Sequence, residues 1–325
     1  MKQPGTSDTF QPPKHQAITA RSAVQPPNSL WYQIKRNKWP YFFISPFFVL
    51  FAIFGLFPPL FGFYLSFHQW DGLSPKRFVG LDNYIRVIND QLFWKSFTNT
   101  VGFIFLATLP MLALAIIIAF LLDSYVKRFR NFFLATYFSP MVTSSVAVTI
   151  IFGLMYGTNF GLINSGLRLL GLAPIRWLTD PLPMKVALAL LLIWRYLGWN
   201  IVLYLVGLQT ISHDYYDAAR VDGANGVQIL FRIVVPLMRP TILYTLIISI
   251  IGVLQLFGEP YLLTVGPVGG SMGGRDNALL TMAMYLYQNG FGYFRFGYAA
   301  AIAYVMFALI LIMSLANLKL IGRSS

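Results

Sequence analysis

Arg195 and Glu259 are the two charged side chains set deep inside apolar runs of this sequence. An arginine at mid-membrane depth costs about 2.5–3.5 kcal/mol on insertion scales, so it must face a partner or a wet cavity. Glu259, with Gln255 one turn earlier at i, i+4, is the candidate for that cavity. Trp194, Asn200, Phe257 and Tyr261 lie close by in sequence, and aromatic rings of this kind can stack on the face of a sugar. Two readings stay open: Arg195 and Glu259 pair with each other, or they touch a passing solute.

Other chemistry is excluded by what the chain lacks. It has no cysteine, hence no thiolate nucleophile, disulfide framework or cysteine metal site. His15, His68 and His213 are too dispersed to hold a metal at helical spacing, and no metal site is expected. No G-x-x-x-x-G-K-[ST] occurs, so this chain cannot by itself cradle and split ATP. The glycines of GPVGGSMGG (Gly266, Gly269, Gly270, Gly273, Gly274) lack the lysine and following helix of a phosphate loop, and read as a flexible loop facing an external protein. Neither an HExxH nor a Ser/His/Asp arrangement points to an enzyme.

The elements that must position these residues are membrane spans. Of 325 residues 57% are apolar and only 11% charged, with mean hydropathy +0.62, the composition of an integral membrane protein. Six apolar runs of about the length needed to cross the hydrocarbon fall near 41–66, 96–122, 132–156, 184–208, 241–264 and 297–318. The net charge of +13 sits between these runs and reads as a topology signal, not as nucleic-acid binding. With the N-terminus inside, 14 of the 24 basic residues fall on its side and 9 on the other, Arg195 being the remaining one. Both termini are therefore expected in the cytoplasm. Residues 1–40, rich in Pro, Gln, Ser and Thr and without the pattern of a cleaved signal, are expected to be a disordered cytoplasmic tail. The stretch 78–100, with Trp70 and Trp94 near it at interface depth, reads as a short amphipathic helix before the second span. Ser139, Pro140, Thr143, Ser144 and Ser145 interrupt the third span.

Between the fourth and fifth spans, residues 212–240 (SHDYYDAARVDGANGVQILFRIVVPLMRP) predict two short helices. Ser212 caps the first, and Gly223 ends it by taking φ > 0. Asn225 and Gln228 form a capping box for the second, which Pro236 and Pro240 close. A helix, a glycine hinge and a helix on the basic side of a membrane is a shape that a soluble partner can grip.

DAARVDGA followed by Ile233 and Pro236 resembles the EAA motif of ATP-binding-cassette importer permeases. GLDNY after the first span, NT in the second, GLIN at 161–164, WLTDP at 177–181, LLT at 262–264 and FGYAAA at 296–301 resemble sugar-importing permeases of the maltose-transporter type. The resemblance spans residues 40–320 and implies an all-α, six-span type I importer (MetI-like) permease fold, with a first span at 41–66 and a permease core at 96–320. It implies that Asp217, Ala218, Ala219, Asp222, Gly223, Ala224, Ile233 and Pro236 couple to an ATPase subunit, the small residues letting the helix sit deep in a groove. Asp217 stands where the family has glutamate, and Val235 where it usually has leucine. Implied partners are a second homologous permease, two ATPase subunits that bind the ATP and Mg, an extracytoplasmic sugar-binding protein and membrane lipid, with no nucleic acid. A multi-pass bacterial inner-membrane subunit importing a mono- or oligosaccharide is the leading reading. A permease for a glycerol-phosphate-like solute and an ion-coupled secondary transporter are the alternatives.

Overall fold

The computed structural model describes residue 34 and residues 37–126, 128–266 and 270–322. The expected tail therefore lies almost wholly outside the described residues, as do Lys35, Arg36 and Lys127 of the charge argument. The chain divides into two units, Met1–Pro58 and Pro59–Ser325.

Among the described residues five helices are long and apolar enough to cross a membrane, or six if one bent pair counts as a span. They are α1 (Lys38–Ser66), α3 (Gln91–Ser124), the bent pair α4 (Arg130–Val142) and α5 (Ser145–Met155), α7 (Pro181–Leu208), the run Arg239–Val265, and α13 (Phe296–Gly322). Shorter helices lie between them: α2 (Asp82–Asn89), α6 (Leu162–Leu169), α8 (His213–Val221), α9 (Gly226–Leu237) and α12 (Met282–Tyr287). One small exception to the all-helical expectation is an antiparallel pair, β1 (His68–Gln69) with β2 (Arg77–Phe78).

Prolines explain three of the irregular turns. Wider, π-type turns at Phe51–Leu56, Ile104–Thr108 and Leu230–Val234 each contain the residue four before a proline, namely Pro58, Pro110 and Pro236. A proline has no N–H to give that carbonyl and its ring crowds it, so the helix loosens by a residue there.

Two expected boundaries shift. The second span begins at Gln91, not near 96, because the Asp90 carboxylate accepts from the N–H groups of Leu92 (2.8 Å) and Phe93 (3.3 Å). This N-cap divides the stretch 78–100 into α2 and the start of α3, where a single amphipathic helix was expected. The run Arg239–Val265 is likewise not one continuous helix: α10 (Arg239–Leu254) ends at Gln255 and α11 (Gly258–Val265) starts after Phe257, whose φ of −132° and ψ of −54° are not helical. Gly258 and Pro260 favour a break there. Its freed Leu256 carbonyl accepts from the Thr281 hydroxyl at 2.6 Å, as a backbone group at membrane depth requires.

The core is built around α3 and α7. At one end of these helices Leu112, Ala115, Ala119 and Phe120 meet Ile201, Tyr204, Leu205 and Leu208, together with residues of α8 and α9. Toward the other end Phe103 and Ala107 meet Met184, Leu188, Leu191 and Leu192. The asparagines of the motifs act as buried ties. Asn83 donates to the carbonyls of Ser66 and His68, Asn99 to those of Asn277 and Leu280, and Asn164 to those of Gly157, Thr158 and Ile175. Within the glycine-rich loop, residues 267–269 lie outside the described part, while Gly273 and Gly274 adopt φ of 86° and 69° and lead into a packed segment with Leu279 and Leu280 fully buried.

Candidate functional site

The segment 212–240 folds as its local signals dictate. The Ser212 hydroxyl accepts from the N–H of Asp214 and opens α8. At the far end the Ala224 N–H reaches the Ala219 carbonyl (2.9 Å) and the Gly223 N–H the Arg220 carbonyl (3.0 Å), with Gly223 at φ 77°. These paired bonds form a Schellman ending, which needs a residue able to take positive φ. Asn225 and Gln228 then exchange side-chain and backbone bonds of 2.8 and 2.9 Å, the capping box that starts α9.

Burial divides the motif residues into two faces. Tyr216 and Ala219 turn inward onto the ends of α3 and α7, joined by Ile229, Leu230 and Val234 of α9, with Ile233 half-buried beside them. Asp217, Ala218, Asp222, Gly223 and Pro236 are exposed, and Ala224 is half-buried. Ala219, expected in a partner's groove, is buried against this chain's own core, while Ala218 and Val221 form the outward face. Asp217 pairs with Arg220 at 3.1 Å, one turn along α8. Both side chains are well exposed, so this contact is weak and open to exchange.

At mid-span Arg195 and Glu259 do meet, Nε to Oε1 at 3.5 Å, with side-chain exposures of 9% and 7%. Tyr196 donates its hydroxyl to the same carboxylate oxygen at 3.0 Å. The Arg195 Nη2 reaches the Thr143 carbonyl at 3.3 Å. That carbonyl lies between α4 and α5, which meet at 95°. Thr143 and Ser144 are extended there, with ψ of 153° and 126°. Gly198, one turn from Arg195, makes this approach possible: a β-carbon there would overlap the carbonyl of Tyr137 in α4. Nη1 of Arg195 is buried without a hydrogen-bond partner among the described residues. Nε, though 3.5 Å from the carboxylate, likewise makes no hydrogen bond, so the cluster joins a charge contact with desolvated, unused donors.

Beside this cluster α3, α7 and α10 enclose a cleft of about 340 Å³. Most of its wall is apolar, with Thr108, Tyr196, Asn200, Thr245 and Ser249 as polar points and Trp199 as an aromatic face. Of the expected pathway residues, Asn200 lines it; its amide is held by the Tyr196 carbonyl at 3.1 Å. Trp194 packs instead on Phe152, ring centres 5.1 Å apart. Phe257 and Tyr261 stack on each other at 5.1 Å and against Tyr287, away from the cleft. Gln255 is exposed at the end of α10 and does not share a helix face with Glu259, because the break intervenes. Tyr196, Thr245 and Ser249 were missed. Their signal was present, since Tyr196 with Asn200 and Thr245 with Ser249 are polar pairs at i, i+4 in otherwise apolar spans.

Comparison with known proteins places the sequence among transporters. The family described as "Binding-protein-dependent transport system inner membrane component" matches residues 99–321. The chain is 36% identical over 286 residues to the arabinooligosaccharides transport system permease protein AraP of Bacillus subtilis, covering 87% of this chain and 88% of that one. It is 35% identical over 301 residues to the lactose transport system permease protein LacF of Rhizobium radiobacter, covering 92% and 96%. The crystal structure of a bacterial ABC transporter involved in the import of the acidic polysaccharide alginate contains a chain of the same fold. Its TM-score is 0.76 at 24% identity, over 90% of this chain and 98% of that one.

Proposed function

We propose, for a chain that belongs to the family of binding-protein-dependent transport system inner membrane components, that it is the permease subunit of an ABC importer for a mono- or oligosaccharide. The permeases it resembles carry arabinooligosaccharides, lactose, and trehalose or maltose in their names. It works in the inner membrane as a multi-pass subunit. Its partners in this reading are a second permease, two ATPase subunits that bind ATP and Mg, and a solute-binding protein. The observation that carries the coupling role is α8: both ends are capped, one face is seated on α3 and α7, and the other face is bare.

In this mechanism the ATPase grips the exposed face of α8, made by Asp217, Ala218 and Val221, while Tyr216 and Ala219 transmit the motion to α3 and α7. Solute passes the cleft beside Asn200 and Trp199, where a few fixed polar groups in an apolar wall orient it. A glycerol-phosphate-like solute is the second reading, which the spare donor on Arg195 favours.

Vanadate-sensitive uptake and solute-stimulated ATP turnover of the reconstituted complex test this function. Ala218→Trp places bulk on the outward face and should abolish stimulated turnover while leaving the permease folded. Asp217→Ala should lower it partially, by about 1 kcal/mol of docking energy, and Asp217→Glu should preserve it. Wild-type turnover in Ala218→Trp, or vanadate-resistant uptake, would exclude α8 as the coupling element.

A further inference from the structure

A polar crevice of about 390 Å³ opens between the β1–β2 turn, α2 and the segment entering α13. Arg77, Arg86 and Arg295 line it. None has a carboxylate within ion-pair distance among the described residues. Arg86 lies over the Tyr298 ring at 5.6 Å and Arg295 over Tyr293 at 5.4 Å, which orders the guanidiniums without using up their N–H groups. Two nearby carboxylates, Asp71 on the crevice wall and Asp90, hydrogen-bond to other groups and form no ion pair with these arginines. Asp71 accepts on Oδ1 from the N–H groups of Leu73 and Ser74 and from the Ser74 hydroxyl. Asp90, behind Tyr298, accepts from the hydroxyls of Tyr285 and Tyr298.

The crevice lies where spans begin and end: after α1 ends at Ser66, before α3 starts at Gln91 and where α13 starts at Phe296. α3 starts near the crevice and ends at Asp123 beside Ser212 and Tyr216, so the crevice lies at the end of the spans opposite α8. The Phe296 N–H of α13 bonds the Trp70 carbonyl at 3.0 Å, tying the last span to the β-turn. Exposed Tyr293 and Phe294 line its edge, with exposed Phe291 nearby on the Phe296 ring. Phe294 has φ 53°, a conformation costly for a bulky side chain. Lys76 lies over the rings of Phe61, Tyr64 and Trp70 at 4.9–5.6 Å, a fourth cation at the same level. Cations ringed by exposed aromatics where spans end match a headgroup with acyl chains beside it. A soluble acidic surface would explain the guanidiniums but not the apolar rim.

We propose that this crevice binds the phosphate of an anionic phospholipid headgroup, with Arg77, Arg86 and Arg295 as its donors and the Phe291–Phe294 rim against the acyl chains. Guanidinium forks suit phosphate oxygens in pairs. The site is independent of which solute the chain carries.

The test uses the assembled transporter, delipidated in detergent and titrated with phosphatidylglycerol, phosphatidylcholine or inorganic phosphate, with bound lipid counted by native mass spectrometry. Phosphatidylglycerol should be retained in preference to phosphatidylcholine. Arg77→Gln/Arg295→Gln should weaken that retention about tenfold or more, since each loses charge-assisted bonds, with phosphatidylcholine unaffected. Arg77→Gln alone, on an exposed strand, should show a smaller loss in the same direction, and Arg77→Lys/Arg295→Lys an intermediate one, because an ammonium keeps the charge without the fork. Unchanged phosphatidylglycerol retention in the double variant overturns the proposal. So does tight binding of inorganic phosphate alone, or unchanged lipid retention with a weakened response to the solute-binding protein, which would make the crevice a seat for an acidic protein surface.

Discussion

Neutralising Glu259 should damage this protein more than neutralising Arg195, although the two form one pair. With side-chain exposures of 9% and 7%, neither charge has water to fall back on. Removing one partner of a buried pair costs about 3–5 kcal/mol. The two halves are unequal because a carboxyl left alone in a span can take up a proton, whereas a guanidinium cannot give one up. Glu259→Gln therefore strands a permanent charge with no counter-charge, its remaining acceptors being neutral carbonyl oxygens such as that of Thr143. Arg195→Gln leaves a carboxyl that still receives the Tyr196 hydroxyl. The expected order of cost is Glu259→Gln, then Arg195→Gln, then the sum of the two exceeding the double variant by about 2 kcal/mol. Unfolding of the purified protein in mixed micelles by added SDS, followed by tryptophan fluorescence, gives the three values. Additivity within about 0.5 kcal/mol would refute the pairing as an energetic unit and leave two separate solute contacts.

Gly223→Val should destabilise α8 by about 1–2 kcal/mol through its φ of 77° alone, since a β-carbon there meets nothing within 4 Å; yield of the ATPase complex measures it, and wild-type yield would rule out a hinge. Asp90 gives an acid limb. Burial works to raise its pKa, but the hydroxyls of Tyr285 and Tyr298 and the N–H groups of Leu92 and Phe93 outweigh it and hold the carboxyl below its ordinary value. A depressed folded-state pKa contributes stability that is present above the unfolded value near 3.9 and is lost as pH falls through the folded one. Asp90→Asn keeps the cap but should flatten that loss in an acid titration of thermal stability.

Local chemistry was legible in the sequence, and contacts across the fold were not. Ser212, Gly223 and the Asn225–Gln228 box each bond a residue two or three positions away, so local spacing alone specified those bonds. The Arg195–Glu259 pair was legible for a different reason: so few charges lie at membrane depth that each has few candidate partners. Gln255 was misplaced because i, i+4 assumes a continuous helix, and the break at 255–257 depends on Thr281, distant in sequence, to satisfy a carbonyl. Phe257, Tyr261 and Trp194 pack on other rings, a contact that the sequence alone does not distinguish from a solute-facing place because an aromatic ring in a span fits either. Ala219 shows the limit of a motif: a small residue can be read from the spacing, but its burial in the cluster with residues of α3 and α7 cannot.

The two helix breaks give these separate features a common logic. α7 is an unbroken helix of 28 residues, with Leu205 and Leu208 packed beside α8 at one end and Arg195 near its middle. In the proposed mechanism a displacement of α8 would reach Arg195 through this continuous backbone, whose hydrogen bonds resist axial compression. Around Arg195 the neighbouring spans are discontinuous: α4 meets α5 at Thr143, and α10 meets α11 just before Glu259. Free carbonyls at such breaks cost several kcal/mol each unless they find a donor in the protein. Arg195 supplies the donor at one break and the counter-charge at the other. Under the proposed coupling, a displacement of α7 would act on both broken spans through these two contacts.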